Sequence, residues 1–188
     1  LSAQFSSGTI FTNASQNPSL TGLNTYNIPG VGGSGTTVKS GAQAVVLTGS
    51  TGAKLFASST VRVITGNTGN DTITGGAMTS AIVVGDASNQ INNSAATVTA
   101  KITTGTGNDT VTLSSKGSTV TALGALTLGG GGGSNSILLQ GSSKNISLGA
   151  AGSNAITLSG NSDRVSVTAG SDTFSISGKN ETVIGFNT

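Results

Sequence analysis

The chain has 188 residues, 30 of them Gly, with no Cys, His or Trp, one Tyr and five Phe; charged residues make up 7%, and eight Lys and Arg against six Asp and Glu leave a net charge of +2. The missing residue types exclude disulfides, thiolate or imidazole metal sites and Ser-His-Asp chemistry, and low charge with many β-branched residues argues against disorder. Basic residues lie singly and aromatics are scarce, so no nucleic acid partner is expected, and no apolar run approaches the ~18 residues of a membrane span.

In chain order, residues 1–37 come first. They lack any repeat and hold most of the unusual side chains, Phe5, Ile10, Phe11, Leu20, Leu23, Tyr26 and Ile28, with both prolines, Pro18 and Pro29. From Val38 onward apolar residues recur at close to nine: Val38, Leu47, Leu55, Ile64, Ile73, Ile82, Ile91, Ile102, Val111, Val120, Leu128, Ile137, Ile146, Ile156, Val165, Phe174 and Val183. Each sits in a short alternating segment such as Thr110-Val111-Thr112-Leu113 or Arg164-Val165-Ser166-Val167, and alternation with β-branched residues predicts a strand. Gly, Asn, Ser and Asp fill the gaps, as in Thr68-Gly69-Asn70-Asp71 and Gly149-Ala150-Ala151-Gly152. These are tight-turn residues.

A nine-residue strand and turn cannot bury its apolar side alone, but two of them back to back close a coil around a thin core. The expected fold is therefore all-β, a parallel β-solenoid with two short strands per ~18-residue coil and about eight coils, roughly 40 Å long at the ~4.8 Å strand spacing. Residues 38–188 form the solenoid in this reading. Solenoid ends expose unpaired strand edges, so residues 1–37 are expected to be an N-terminal cap or an assembly arm. The other end, Val183-Ile184-Gly185-Phe186, has no comparable polar cap. That asymmetry suggests head-to-tail stacking, or else a segment cut from a longer roll.

Two stretches, Gly66-Asn67-Thr68-Gly69-Asn70-Asp71-Thr72-Ile73-Thr74 and Thr104-Gly105-Thr106-Gly107-Asn108-Asp109-Thr110-Val111-Thr112, resemble the RTX nonapeptide, G-G-x-G-x-D-x-U-x, of secreted bacterial calcium-binding β-rolls. The nine-residue register extends the resemblance over about three quarters of the chain. It implies calcium held in the turns by Asp71 and Asp109 together with turn carbonyls. Later turns depart from the motif. Every second repeat along the Asp71 edge reads Asp71, Asn89, Asp109, Leu126, Lys144, Asp163 and Glu181, and the opposite edge reads Ser80, Ala100, Ser118, Asn135, Asn154 and Asp172. A hard cation wants six or more oxygens, so few calcium ions or none are expected and no cofactor is required. The plainer role for Asp71 and Asp109 is to cap their turns by hydrogen bonds to backbone. A second departure is an apolar residue two beyond the core position, at Leu113, Leu139, Leu148, Leu158, Val167 and Ile176, which adds burial where an RTX roll relies on metal.

Catalysis needs titratable groups brought together. Here six carboxylates scatter over different coils, and Asp163 and Arg164 are strand neighbours that point to opposite faces. No enzyme is expected. The leading expectation is a structural, self-assembling protein of the bacterial cell surface or extracellular matrix, such as a surface-layer, filament or adhesin subunit. It would polymerise head to tail through Phe5, Ile10, Phe11 and Tyr26 at one end and Phe186 at the other. A cell-surface glycan is a further expected partner. The alternatives are a calcium-binding RTX module of a larger secreted protein and an ice-binding solenoid, the latter suggested by outward pairs such as Thr110 with Thr112 and interrupted by Gln90, Lys101, Leu138 and Arg164.

Overall fold

A nine-residue alternation leaves one way to satisfy both side chains and backbone: apolar residues turn inward, and the freed N–H and C=O groups pair with the next coil. The computed structural model describes residues 25–29, 35–38, 40–149, 152–168 and 170–185. Among these it is a β-solenoid of about 8 turns with ~18 residues per turn and no helix.

Successive strands alternate between two parallel sheets. One sheet stacks β1 (Thr25–Pro29), β3 (Ala44–Thr48), β5 (Val63–Thr65), β7 (Ala81–Val83), β9 (Ala100–Thr104), β11 (Ser118–Ala122), β13 (Ser136–Leu139), β15 (Ala155–Leu158) and β17 (Thr173–Ile176). The other stacks β2 (Thr36–Thr37), β4 (Lys54–Phe56), β6 (Thr72–Thr74), β8 (Gln90–Asn92), β10 (Asn108–Leu113), β12 (Ala125–Gly130), β14 (Asn145–Leu148), β16 (Arg164–Val167) and β18 (Thr182–Ile184). Ile73 faces Leu55 and Ile91 in neighbouring coils, and Ile146 faces Leu128 and Val165. Like therefore stacks on like along each sheet.

The nine-spaced residues from Val38 to Val165 are all buried, as expected, while Phe174 is half-buried at the last coil. Leu113, Leu139, Leu148, Leu158 and Val167 add a second inward side chain to their strands. A fully buried Val, Leu or Ile stabilises by roughly 1.5–3 kcal/mol, so these strands carry about twice the apolar drive of a strand with one.

At the N-terminal end the register differs from the nine-residue reading. Thr36, rather than Val38, is level with Leu55, and Val45, rather than Leu47, is level with Ile64. All four are buried, because positions two apart on a strand share a face. The sheets also begin at Thr25, ahead of the boundary at residue 38, since β1 pairs with β3 along its length and β2 with β4. Tyr26 lies in β1 opposite Val45 and packs against the chain's own core. Phe5, Ile10, Phe11 and Phe186 lie outside the described residues.

Candidate functional site

The polar side chains of greatest interest sit at the corners where the chain enters the second sheet, two positions before each core residue. Asp71, Asn89, Asp109, Leu126, Lys144 and Asp163 are all buried there, one per coil. Strand pairing places Asp109 level with Leu126, so the edge read from the sequence exists as a physical column.

Its first half is a ladder of oxygens accepting from backbone. Asp71 accepts the Ala53 N–H of the preceding coil on Oδ1 and the Asn67 N–H of its own turn on Oδ2, each at 2.9 Å. The Asp71 N–H in turn donates to Asn89 Oδ1 at 3.0 Å. Asn89 donates its backbone N–H at 3.0 Å and its Nδ2 at 2.9 Å to Asp109 Oδ1. Its Nδ2 also reaches the carbonyls of Gly85 and Ala87. Asp71 and Asp109 thus lie two coils apart with Asn89 bonding both. Both aspartates take hydrogen bonds from the chain's own amides, which is the turn-capping role. Burial pushes the Asp71 carboxyl above its usual value, and the hydrogen bonds from Ala53 and Asn67 pull it partly back.

The glycines of the RTX-like turn have a packing reason here. A Cβ on Gly66 would stand 2.7 Å from Asp71 Oδ2 and 2.9 Å from Val84 Cγ1.

Leu126 interrupts the ladder, and beyond it the column changes character. The Lys144 N–H donates to Asp163 Oδ1 at 2.9 Å, and the Asp163 N–H to Glu181 Oε2 at 2.7 Å. Lys144 sends its side chain inside the coil, only 1% exposed. Burial pulls the Lys144 ammonium below its usual value, while the charges of Asp163 and Glu181 push it back up. Lysine at this position reads in the sequence as a break in the column; the signal that places it inside is its register, shared with buried residues in every neighbouring coil. The residues just before this part of the column, Ser143, Ser162 and Asn180, adopt positive φ near 60°.

The opposite edge repeats the ladder on a smaller scale. Asn154 Oδ1 accepts from the backbone N–H and Nδ2 of Asn135, and Asp172 Oδ1 accepts from the same two groups of Asn154. Among the described residues no three His, Cys, Asp or Glu side chains gather into a metal-binding group, and no helix is long and apolar enough to cross a membrane.

The outer faces of the two sheets differ. A shallow groove of about 330 Å³ crosses β4, β6, β8 and β10, lined by Lys54, Phe56, Thr72, Thr74, Gln90 and Asn92 among others. Lys54 Nζ stands 5.4 Å from the centre of the Phe56 ring. On the other sheet the row level with Thr65 runs Val83, Thr103, Thr121, Leu138 and Thr157, without a charge. Comparison with family models, curated proteins and solved structures found no match to this chain.

Proposed function

We propose that the chain is a structural, self-assembling protein of the bacterial cell surface or extracellular matrix, of the surface-layer, filament or adhesin kind, whose copies stack end to end. The observation that carries this reading is the parallel stack itself, in which each coil pairs with the next and nothing in the repeat sets a stop. Among the described residues β17 and β18 are each paired on one side only. Ile176 on β17 is 44% exposed, whereas Leu158, level with it one coil earlier, is 0% exposed. An open strand edge beside uncovered apolar surface is a template for pairing, and a contact between unlike ends that does not close into a ring propagates into a filament. The low charge leaves little repulsion to oppose it. The RTX-like turns support an extracellular setting, and no catalytic role is proposed.

The test is negative-stain microscopy and light scattering on the 188-residue protein beside Ile176→Lys. Filaments or large assemblies are expected from the wild type, and monomers with unchanged β-sheet circular dichroism from the variant. A wild type that stays monomeric at every concentration, or a variant that assembles equally well, overturns the reading.

The groove across β4 to β10 favours a second role, glycan binding. Amides and threonine hydroxyls matched to sugar hydroxyls, with one cation and one aromatic ring, are groups that would hold a neutral or weakly acidic polysaccharide. Retention of wild type but not Gln90→Ala/Asn92→Ala on immobilised polysaccharides tests it.

A further inference from the structure

The groove across β4 to β10 owes its opening to a glycine beside it. Gly35 stands level with Lys54 in the sheet, one residue before the pairing of Thr36 with Leu55, and has a φ of +93°, which suits glycine. A Cβ there would stand 2.8 Å from Phe56 Cε2 and 3.1 Å from Lys54 Cγ. Both side chains thus lie back over the coil of Gly35, with Lys54 Nζ 5.4 Å from the centre of the Phe56 ring. Thr72 and Thr74 are left as the floor between them and the amides of Gln90 and Asn92. Asn92 Oδ1 already accepts the N–H and the hydroxyl of Ser94, at 3.1 and 2.7 Å, so Nδ2 is the half of that amide left to bond a ligand. No Asp or Glu lines the groove, and among the described residues the exposed Lys54 forms no ion pair.

The row that begins at Lys54 continues along the outer face of the sheet. From Lys54 it passes level through Thr72, Gln90, Thr110, Thr127 and Asn145 to Arg164. Six strand spacings separate the two cations, roughly 29 Å at ~4.8 Å each. Between them lie only hydroxyls and amides. We propose that this row is a binding track for an acidic polysaccharide of the uronate class, laid along the solenoid axis with carboxylates on Lys54 and Arg164. It builds on the glycan reading of the groove given above and names the kind of glycan.

Three features select that class. A pyranose unit in an extended chain is about as long as one coil is thick, so a polysaccharide along the row meets a new coil with each sugar. Its C–H face matches the Phe56 ring, and its hydroxyls match the threonines and amides beyond. Its carboxylate answers an ammonium that the chain leaves unpaired, and hydrogen bonds to an ionised partner are roughly twice as strong as neutral ones. A neutral glycan would leave both cations unused. A nucleic acid supplies the charge but also bases to stack, and Phe56 is the one aromatic side chain lining the groove.

The experiment is titration of the full chain, with a chelator present, against polygalacturonate and its methyl ester, which share a backbone and differ in charge. The wild type is expected to bind polygalacturonate at least tenfold more tightly than the ester, and the gap should close as salt rises. Lys54→Met should bring polygalacturonate down to the level of the ester, while Lys54→Arg keeps the difference. Arg164→Gln should weaken the polymer severalfold and leave a galacturonate trisaccharide, too short to span the row, unchanged. Equal binding of the two polymers overturns the acidic class and leaves the glycan reading standing, whereas binding of neither overturns both. Single-stranded DNA held as tightly as polygalacturonate overturns the proposal by showing a general polyanion surface, and so does polymer binding indifferent to Arg164→Gln. The two polymers on wild type decide the class even if a variant fails to fold.

Discussion

The coils built from β5 to β8 and those built from β13 to β16 have the same plan and different interiors. In the earlier coils each strand puts one apolar residue inward at its centre, Ile64, Ile73, Ile82 and Ile91, and the residue two further on is Gly66, Gly75, Val84 or Asn93. Val84 apart, polar atoms then fill the corner: Asp71 bonds two backbone amides, and a Cβ on Gly75 would run into Asn93 Oδ1. In the later coils the second position is apolar throughout, giving Ile137 with Leu139, Ile146 with Leu148, Ile156 with Leu158 and Val165 with Val167, all buried. One backbone path thus closes its corners either with oxygens that cap amides or with a second layer of hydrocarbon. The hydrocarbon corners add buried apolar side chains where the oxygen corners add hydrogen bonds.

The largest expected effect falls on the hydrocarbon side. Leu158→Ala removes a side chain that is 0% exposed and should cost about 2–5 kcal/mol in denaturant unfolding. Asp71→Ala orphans the Ala53 and Asn67 amides, at about 1–3 kcal/mol because water can enter the vacated corner. Finding the aspartate substitution the more costly of the two would break the comparison, for the polar corner would then hold the coil more firmly than the apolar one.

Acid sharpens the contrast. Burial raises the Asp71 carboxyl above its ordinary value of 3.8, so the folded state binds its proton more tightly than the unfolded chain. That contribution to stability is present below 3.8 and is lost as pH rises through the folded value. The unfolding free energy of wild type minus that of Asp71→Ala should therefore shrink between acid and neutral pH, while the difference from Leu158→Ala stays level. Unfolding curves at a series of pH values check this.

Ser162 has φ of 60°, a conformation that favours glycine. Ser162→Gly should be neutral or stabilise by up to about 1 kcal/mol, the relieved strain being partly offset by the freer unfolded chain. Smallest of all is the expected response to calcium. Both Asp71 oxygens already accept backbone amides, and a chelator should move the melting temperature by no more than a degree or two. A drop of tens of degrees would make Asp71 and Asp109 ligands and the oxygen ladder a metal-dependent structure.

The solenoid was legible because a repeat constrains itself: each coil must present the same face at the same height as its neighbours, so apolar residues nine apart name the core one after another. The same logic explains the two-residue shift in pairing at Val38 and Leu47, which are both buried as expected. A register shift of one residue would turn a strand inside out, but a shift of two keeps the same face inward, and periodicity cannot tell Thr36 from Val38 or Val45 from Leu47 when both are buried. The strands at Thr25 and Thr36 were hidden for a related reason, since a threonine stands in the core row at Thr36 where the pattern asks for an aliphatic residue.

What the sequence determined by itself was the period, the inward rows and the two edge columns, because these follow from alternation and turn chemistry within a few residues of each other. Only the tertiary structure decided what the edge columns do. Whether an aspartate holds a backbone amide or faces solvent depends on the amide stacked above it in another coil, 18 residues away for Ala53 and Asp71. Whether a lysine snorkels outward or turns into the coil depends on the coils stacked on either side of it, which leave Lys144 only 1% exposed. Such neighbours are distant in the chain and close in space, and stacking alone brings them together.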